Sequence, residues 1–248
     1  MKTKAILTGH SRGLGAAIAD ELLARGIAVL GVSRQRSAAG VRAEAGALLS
    51  QRELDLSDTA AVARWLADDE LRAFLADADT VLLVNNAGTV QPMGPLGMQD
   101  PTLIARAVSL NVATPLMLAD ALVKATAHAA DRRILHVSSG AGRNVYPAWN
   151  VYCATKAALD MHASAVASDG TPALKICSLA PGVIDTDMQG EIRATALDRF
   201  PMRERFQAMK RDGALIAPQD CARRLVAYLT GDSFGQVQVA DLRVVAPA

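Results

Sequence analysis

Short apolar runs recur along the chain, separated by longer stretches in which apolar residues return every three or four positions. Runs such as Val81-Leu82-Leu83-Val84 show no in–out alternation, the pattern of strands covered on both faces of a parallel sheet. This predicts strands at Ala5–Thr8, Ala28–Ser33, Glu53–Asp55, Val81–Asn85, Ile134–Ser138, Lys175–Leu179 and Val237–Asp241. Between them, Gly13–Arg25 places Leu14, Ile18, Leu22 and Leu23 at helical spacing. Pro101–Ala130 and Asn150–Ser168 are longer helical patterns, rich in alanine and poor in charge. Pro218–Leu229 opens on a proline, which a first helical turn tolerates. Alternating strand and helix imply βαβ units with right-handed crossovers. The expected fold class is α/β: a doubly wound parallel sheet of about seven strands with helices on both faces.

Composition narrows this picture. The 248 residues are 51% hydrophobic, enough for one substantial core, and no repeat, low-complexity run or linker divides them. Residues 1–248 therefore read as a single domain, with the polar, arginine-rich stretch 189–212 as a lid inserted upon it. Lys and Arg number 26 against 25 Asp and Glu, so no basic footprint marks nucleic acid or an anionic membrane as a partner. The apolar stretch near the N-terminus is too short for a signal-peptide core, and no apolar run approaches membrane-spanning length. Cys153, Cys177 and Cys221 are odd in number and widely spaced, which argues against a disulfide framework or zinc site and for a reducing, cytoplasmic setting. The four histidines form no metal-binding pair, so no metal is expected.

The first strand runs into Thr8-Gly9-His10-Ser11-Arg12-Gly13-Leu14-Gly15 and then a helix. Glycines permit a tight turn and close backbone approach, and the helix N-terminus offers free N–H groups to phosphate. A tight turn without a ligand is the alternative; the strand–loop–helix context favours a Rossmann-type dinucleotide site. An acidic residue after the second strand would bind the ribose 2′-hydroxyl of NAD. Here the chain has Ser33-Arg34-Gln35-Arg36, in which Arg34 suits a 2′-phosphate and Ser33 can donate to it. Arg12 is a second cation in reach, and Arg36 reads as an ordinary solvated charge. NADP(H) is the expected cofactor.

Tyr152-Cys153-Ala154-Thr155-Lys156 lies in a helical pattern, and the spacing of four stacks Tyr152 and Lys156 on one face. A phenol with a pKa near ~10 is a poor acid–base group at neutral pH, and a neighbouring ammonium lowers that value. Such a pair can deliver a proton to a carbonyl oxygen as hydride reaches carbon. Spacing alone is a chance-level signal; position adds to it. Ser138-Ser139-Gly140 follows the fifth strand, Asn85-Asn86-Ala87-Gly88 ends the fourth, Asn111 lies in the helix after it, and Pro181-Gly182 ends the sixth. All fall at the carboxyl edge where open α/β sheets bind ligands.

Together Thr8-Gly9-x3-Gly13-x-Gly15, Asn85-Asn86-Ala87-Gly88, Asn111, Ser139, Tyr152-x3-Lys156 and Pro181-Gly182 resemble the short-chain dehydrogenase/reductase family, over positions 5 to about 190. The resemblance implies Tyr152 as general acid, and Lys156 as ribose ligand and tuner of the tyrosine. Asn111 would hold a relay water, and Ser139, thirteen residues before Tyr152, would be the family's serine. It further implies Gly9, Ser11, Arg12, Gly13, Leu14 and Gly15 at the phosphates, with Ser33 and Arg34 at the 2′-phosphate. Asp55 and Leu56 would meet the adenine, and Asn86, Ala87 and Gly88 the adenosine ribose. Pro181, Gly182, Val183, Ile184 and Thr186 would lie at the nicotinamide. A homodimer or homotetramer through the two long helices is also implied.

A narrower resemblance, to the benzil reductase and sepiapterin reductase-like branch, rests on Asn86–Met93, Ser138–Asn144, Trp149-x2-Tyr152-Cys153 and Pro181–Gln189. It implies a small-molecule ketone or vicinal diketone as substrate, with Gly140, Met93, Val145, Tyr146, Trp149 and Met188 around the carbonyl. Cys153 reads as a packing residue, His136 as a core histidine, His10 as loop filler, and the charges of Arg199–Arg211 as the solvated face of a lid helix. Two alternatives stand beside the ketone reductase. One is a 3-oxoacyl-thioester (acyl carrier protein) reductase, which the balanced charge does not favour. The other is a non-catalytic NADP sensor, which has no need of an acid.

Overall fold

The computed structural model describes residues 2–37 and 48–245. Seven strands, β1 (Thr3–Thr8), β2 (Ala28–Ser33), β3 (Leu49–Glu53), β4 (Thr80–Asn85), β5 (Asp131–Val137), β6 (Leu174–Ala180) and β7 (Val239–Asp241), form one sheet in the order β3-β2-β1-β4-β5-β6-β7. Every pairing is parallel. Helices α1 (Gly13–Ala24) and α9 (Pro218–Thr230) cover one face. The other carries α2 (Thr59–Ala67), α3 (Glu70–Leu75), α4 (Pro101–Val108), α5 (Thr114–Ala125) and α6 (Asn150–Ser168). The apolar runs explain the two-sided burial. Leu82, Val84, Leu135, Cys177 and Leu179 pack on the α1/α9 side, while Val81, Leu83, Ile134 and Ile176 face the other layer with Trp65.

The order reverses between β1 and β4, which opens a crevice at their carboxyl ends. Thr8 ties this edge together: its Oγ1 accepts from Asn86 N (2.9 Å) and Ala87 N (3.0 Å). Across the crevice lie α7 (Asp187–Ala194) and α8 (Arg203–Arg211), docked through a third apolar cluster containing Val90, Met93, Trp149, Tyr152, Phe200 and Phe206.

Three sequence expectations are corrected. The third strand is Leu49–Glu53, not Glu53–Asp55; it is an edge strand with the half-polar sequence LSQRE, so no apolar run betrays it. Asp55 then lies in the loop beyond it. The long helix from Pro101 is broken by a π-helical turn at Ser109–Ala113 and stops at Ala125. By length and apolarity Pro101–Ala125 would suffice to cross a membrane, which the sequence reading had excluded for every run. In the fold, Leu118, Ala119 and Leu122 of this segment pack into the core under the sheet.

Candidate active site

The carboxyl edge encloses a cavity of about 910 Å³. All cofactor positions singled out from the sequence, from Gly9 to Thr186, line it, as do Ser139, Tyr152 and Lys156. The glycine loop has the geometry its residues allow. Gly9 (φ +70°) and Gly13 (φ +55°) sit in the left-handed region, and a Cβ on Gly15 would lie 1.9 Å from the Gly9 carbonyl oxygen. The N-cap of α1, Arg12, makes no side-chain capping bond, so side-chain capping leaves the first-turn N–H groups for a phosphate. Asn86 Nδ2 donates to Thr8 O (2.9 Å) and Gly9 O (3.3 Å), so its side chain supports the loop from below. These residues fit a dinucleotide.

At the far end, Arg34 is exposed and makes no ion pair among the described residues. Ser33 spends its hydroxyl on Gln35 O (2.5 Å), shaping the turn that presents Arg34. Arg12 also lines the cavity and pairs with Asp187 at 3.2 Å. Arg36 pairs with Glu53 at 2.8 Å. Asp55 accepts from Ser57 N and Oγ and stands 3.5 Å from Arg106, a cavity residue the sequence reading missed. Burial opposes ionisation of Asp55, but the Ser57 hydrogen bonds and the charges of Arg106 and Arg34 hold its carboxyl below the usual range.

At the other end, helix periodicity stacks Tyr152 and Lys156 on the buried face of α6. Lys156 Nζ donates to Val137 O at 2.8 Å and lies 5.7 Å from the centre of the Tyr152 ring. Burial pushes the Tyr152 phenol up to about 12, against a favourable hydrogen bond from Ser139. Burial also pushes Lys156 down to about 8, opposed by Asp160. Without a bound ligand, burial therefore outweighs the expected lowering of the tyrosine by the lysine. Ser139 caps the short 3₁₀ turn Gly140–Gly142, its Oγ accepting from Ala141 N at 3.1 Å. Ser138 instead donates to Asp160 (2.7 Å).

Asn111 sits in the π-turn, behind the cavity wall. Its amide donates to Thr89 O (2.9 Å) and Thr155 Oγ1 (3.1 Å) and accepts from Thr89 N (2.9 Å). A Cβ on Gly88 would lie 3.3 Å from Asn111 Oδ1 and 3.7 Å from Lys156 Nζ, so the Gly88 backbone packs closely against both groups.

A model of the short chain dehydrogenase family matches residues 3–197. The chain belongs to that family. It is thus an oxidoreductase acting on carbonyl or hydroxyl groups, in a family that works with nicotinamide cofactors on small molecules. It is 34% identical to a benzil reductase ((S)-benzoin forming) of Bacillus cereus, across 94% of this chain and 96% of that one. It is 31% identical to the sepiapterin reductase of Meriones unguiculatus, across 92% of each. A short-chain dehydrogenase/reductase of Burkholderia vietnamiensis, of known crystal structure, is 51% identical over 99% of both chains, with a TM-score of 0.71.

The substrate side of this dehydrogenase differs in part from expectation. Gly140, Tyr146, Trp149 and Met188 line the cavity. Met93 does not: it is 1% exposed beneath the aromatic cluster, its Sδ accepting from Thr195 Oγ1. Val145, 94% exposed, points to solvent and also leaves the wall. Phe206, Met209, Ile192 and Arg243 line the cavity and were missed. The charges of segment 189–212 hid two aromatics, for Trp149 stacks on Phe200 (4.9 Å) and packs against Phe206 (5.5 Å). Arg199, read as solvated, donates to Met98 O at 2.9 Å and helps clamp the segment down. His10 is buried against Gly31 and bonds Gln51 (2.9 Å), which makes it part of the scaffold.

Proposed function

We propose that this protein is an NADPH-dependent reductase of ketones or vicinal diketones, with Tyr152 as general acid. The observation that carries the reading is the convergence of Tyr152, Ser139 and Lys156 on the cavity that the glycine loop and Arg34 share. The bound nicotinamide would supply hydride. Tyr152, held protonated by burial, donates its proton to the carbonyl oxygen, and the Ser139 hydroxyl donates a hydrogen bond to the same oxygen. Lys156 binds the nicotinamide ribose and returns a proton to Tyr152. The Asn111 amide is spent on Thr89 and Thr155, so a relay water takes its partner from the main chain of the π-turn.

Arg34, with no acidic residue at the end of β2, supports NADPH over NADH. The benzil and sepiapterin reductase relatives support a diketone or an aryl ketone. Trp149, Phe206, Met188 and Met209 give the cavity an apolar, aromatic wall. Exposed Val108 on α4 and Met161 on α6 support pairing of two chains through these helices. The test is NADPH oxidation against a panel of aromatic diketones, simple ketones and 3-oxoacyl thioesters. Turnover greatest with the diketones is expected; turnover confined to the thioesters would overturn the substrate reading.

A further inference from the structure

Four segments meet on a single carboxylate below the active site. Asp160 lies on α6 one turn beyond Lys156 and two beyond Tyr152, and is 7% exposed. Its Oδ1 accepts from Ser138 Oγ at the end of β5 (2.7 Å) and from Ser178 Oγ on β6 (2.6 Å). Its Oδ2 accepts from Arg143 Nε (3.1 Å), and Arg143 Nη2 reaches on to Ala240 O of β7 (3.1 Å). A Cβ on Gly142 would come within 2.9 Å of Oδ2, so the 3₁₀ turn that begins at Ser139 closes directly over this group.

From this geometry we propose that Asp160 is a positioning residue of the active site. One buried carboxylate fixes the Ser138–Ser139 strand end and the following turn against α6, while facing Lys156 along the helix. A buried charge persists when paired and hydrogen-bonded, and three donors satisfy this one. The role is electrostatic as well as mechanical. Asp160 favours the ammonium form of Lys156 against burial. The other groups around Lys156 are the Tyr152 phenol on α6, the Asn111 amide from the π-turn, and His136 on β5, which pairs with His162. Arg143 stands on the far side of Asp160 and offsets part of its charge.

The inference rests on the proposed role of Lys156, so its test reads that amine directly. Lys156 is titrated by NMR in protein carrying [ε-¹³C]lysine, with its signal assigned through Lys156→Arg. The variants are Asp160→Asn and Arg143→Gln. Removing the carboxylate is expected to move the midpoint down by about 1 pH unit, and removing the guanidinium to move it up. The alkaline limb of kcat/KM for carbonyl reduction should move in the same two directions. A change in packing alone gives no such opposite pair. Midpoints unchanged in both variants, whatever the activity, would overturn the proposal. A wild-type protein that reduces no carbonyl compound would instead sink the reductase reading, and the titration would still decide on Asp160.

Discussion

At Tyr152 and Lys156 burial moves the two pKa values in opposite directions, up to about 12 and down to about 8. Below pH 8 the tyrosine holds its proton and the lysine is charged, the state a reductase needs. Carbonyl reduction should therefore be flat across neutral pH and fall as pH rises through about 8, where Lys156 loses its proton; a pH profile of kcat/KM checks this. The pairing was legible because helix periodicity fixes which residues share a face. The proton states were not, because they depend on burial among residues far away in sequence, Asp160's partners included. Arg34 was legible for the same local reason, as the residue that follows β2. Arg34→Ala should raise KM for NADPH roughly 10- to 100-fold and leave KM for NADH nearly unchanged, the loss of a charge-assisted phosphate contact. Equal effects on both cofactors would exclude a 2′-phosphate role.

Among the elements, the long apolar strands announced themselves, since two-sided burial makes a continuous hydrophobic run. Edge strand β3 and helices α2 and α3 did not, being short and having one wet face. The π-turn at Ser109–Ala113 was also hidden, because one extra residue in a turn leaves no mark on composition; it sets Asn111 against Thr89 and Thr155. Segment 189–212 shows how charge can mask packing. Phe200 is fully buried against Trp149 although arginines surround it in sequence. Phe200→Ala should cost about 3–5 kcal/mol in urea unfolding and raise KM for the carbonyl substrate, because Trp149 loses its stacking partner. An unchanged KM would separate segment 189–212 from substrate binding.

For the molecule as a whole, stability and assembly have their own tests. Asn85 Nδ2 donates to Pro115 O and to His136 Nδ1, so the His136 proton sits on Nε2 and is given to His162 Nδ1. Burial first, then the fields of His162 and Lys156, push His136 down to about 3. Between pH 6.5 and 3 the unfolded chain thus binds a proton that the folded one refuses, and stability should fall as pH drops through that window. Tm measured against pH should show a shallower acid limb in His136→Gln. Sedimentation should report a dimer or tetramer, and a monomer would exclude pairing through α4 and α6. The most direct test of the central claim is steady-state NADPH oxidation by Tyr152→Phe with an aromatic diketone, alongside NADPH binding by fluorescence. Loss of the general acid should lower kcat about 10²- to 10⁴-fold with NADPH affinity retained. Turnover at the wild-type rate would contradict the account.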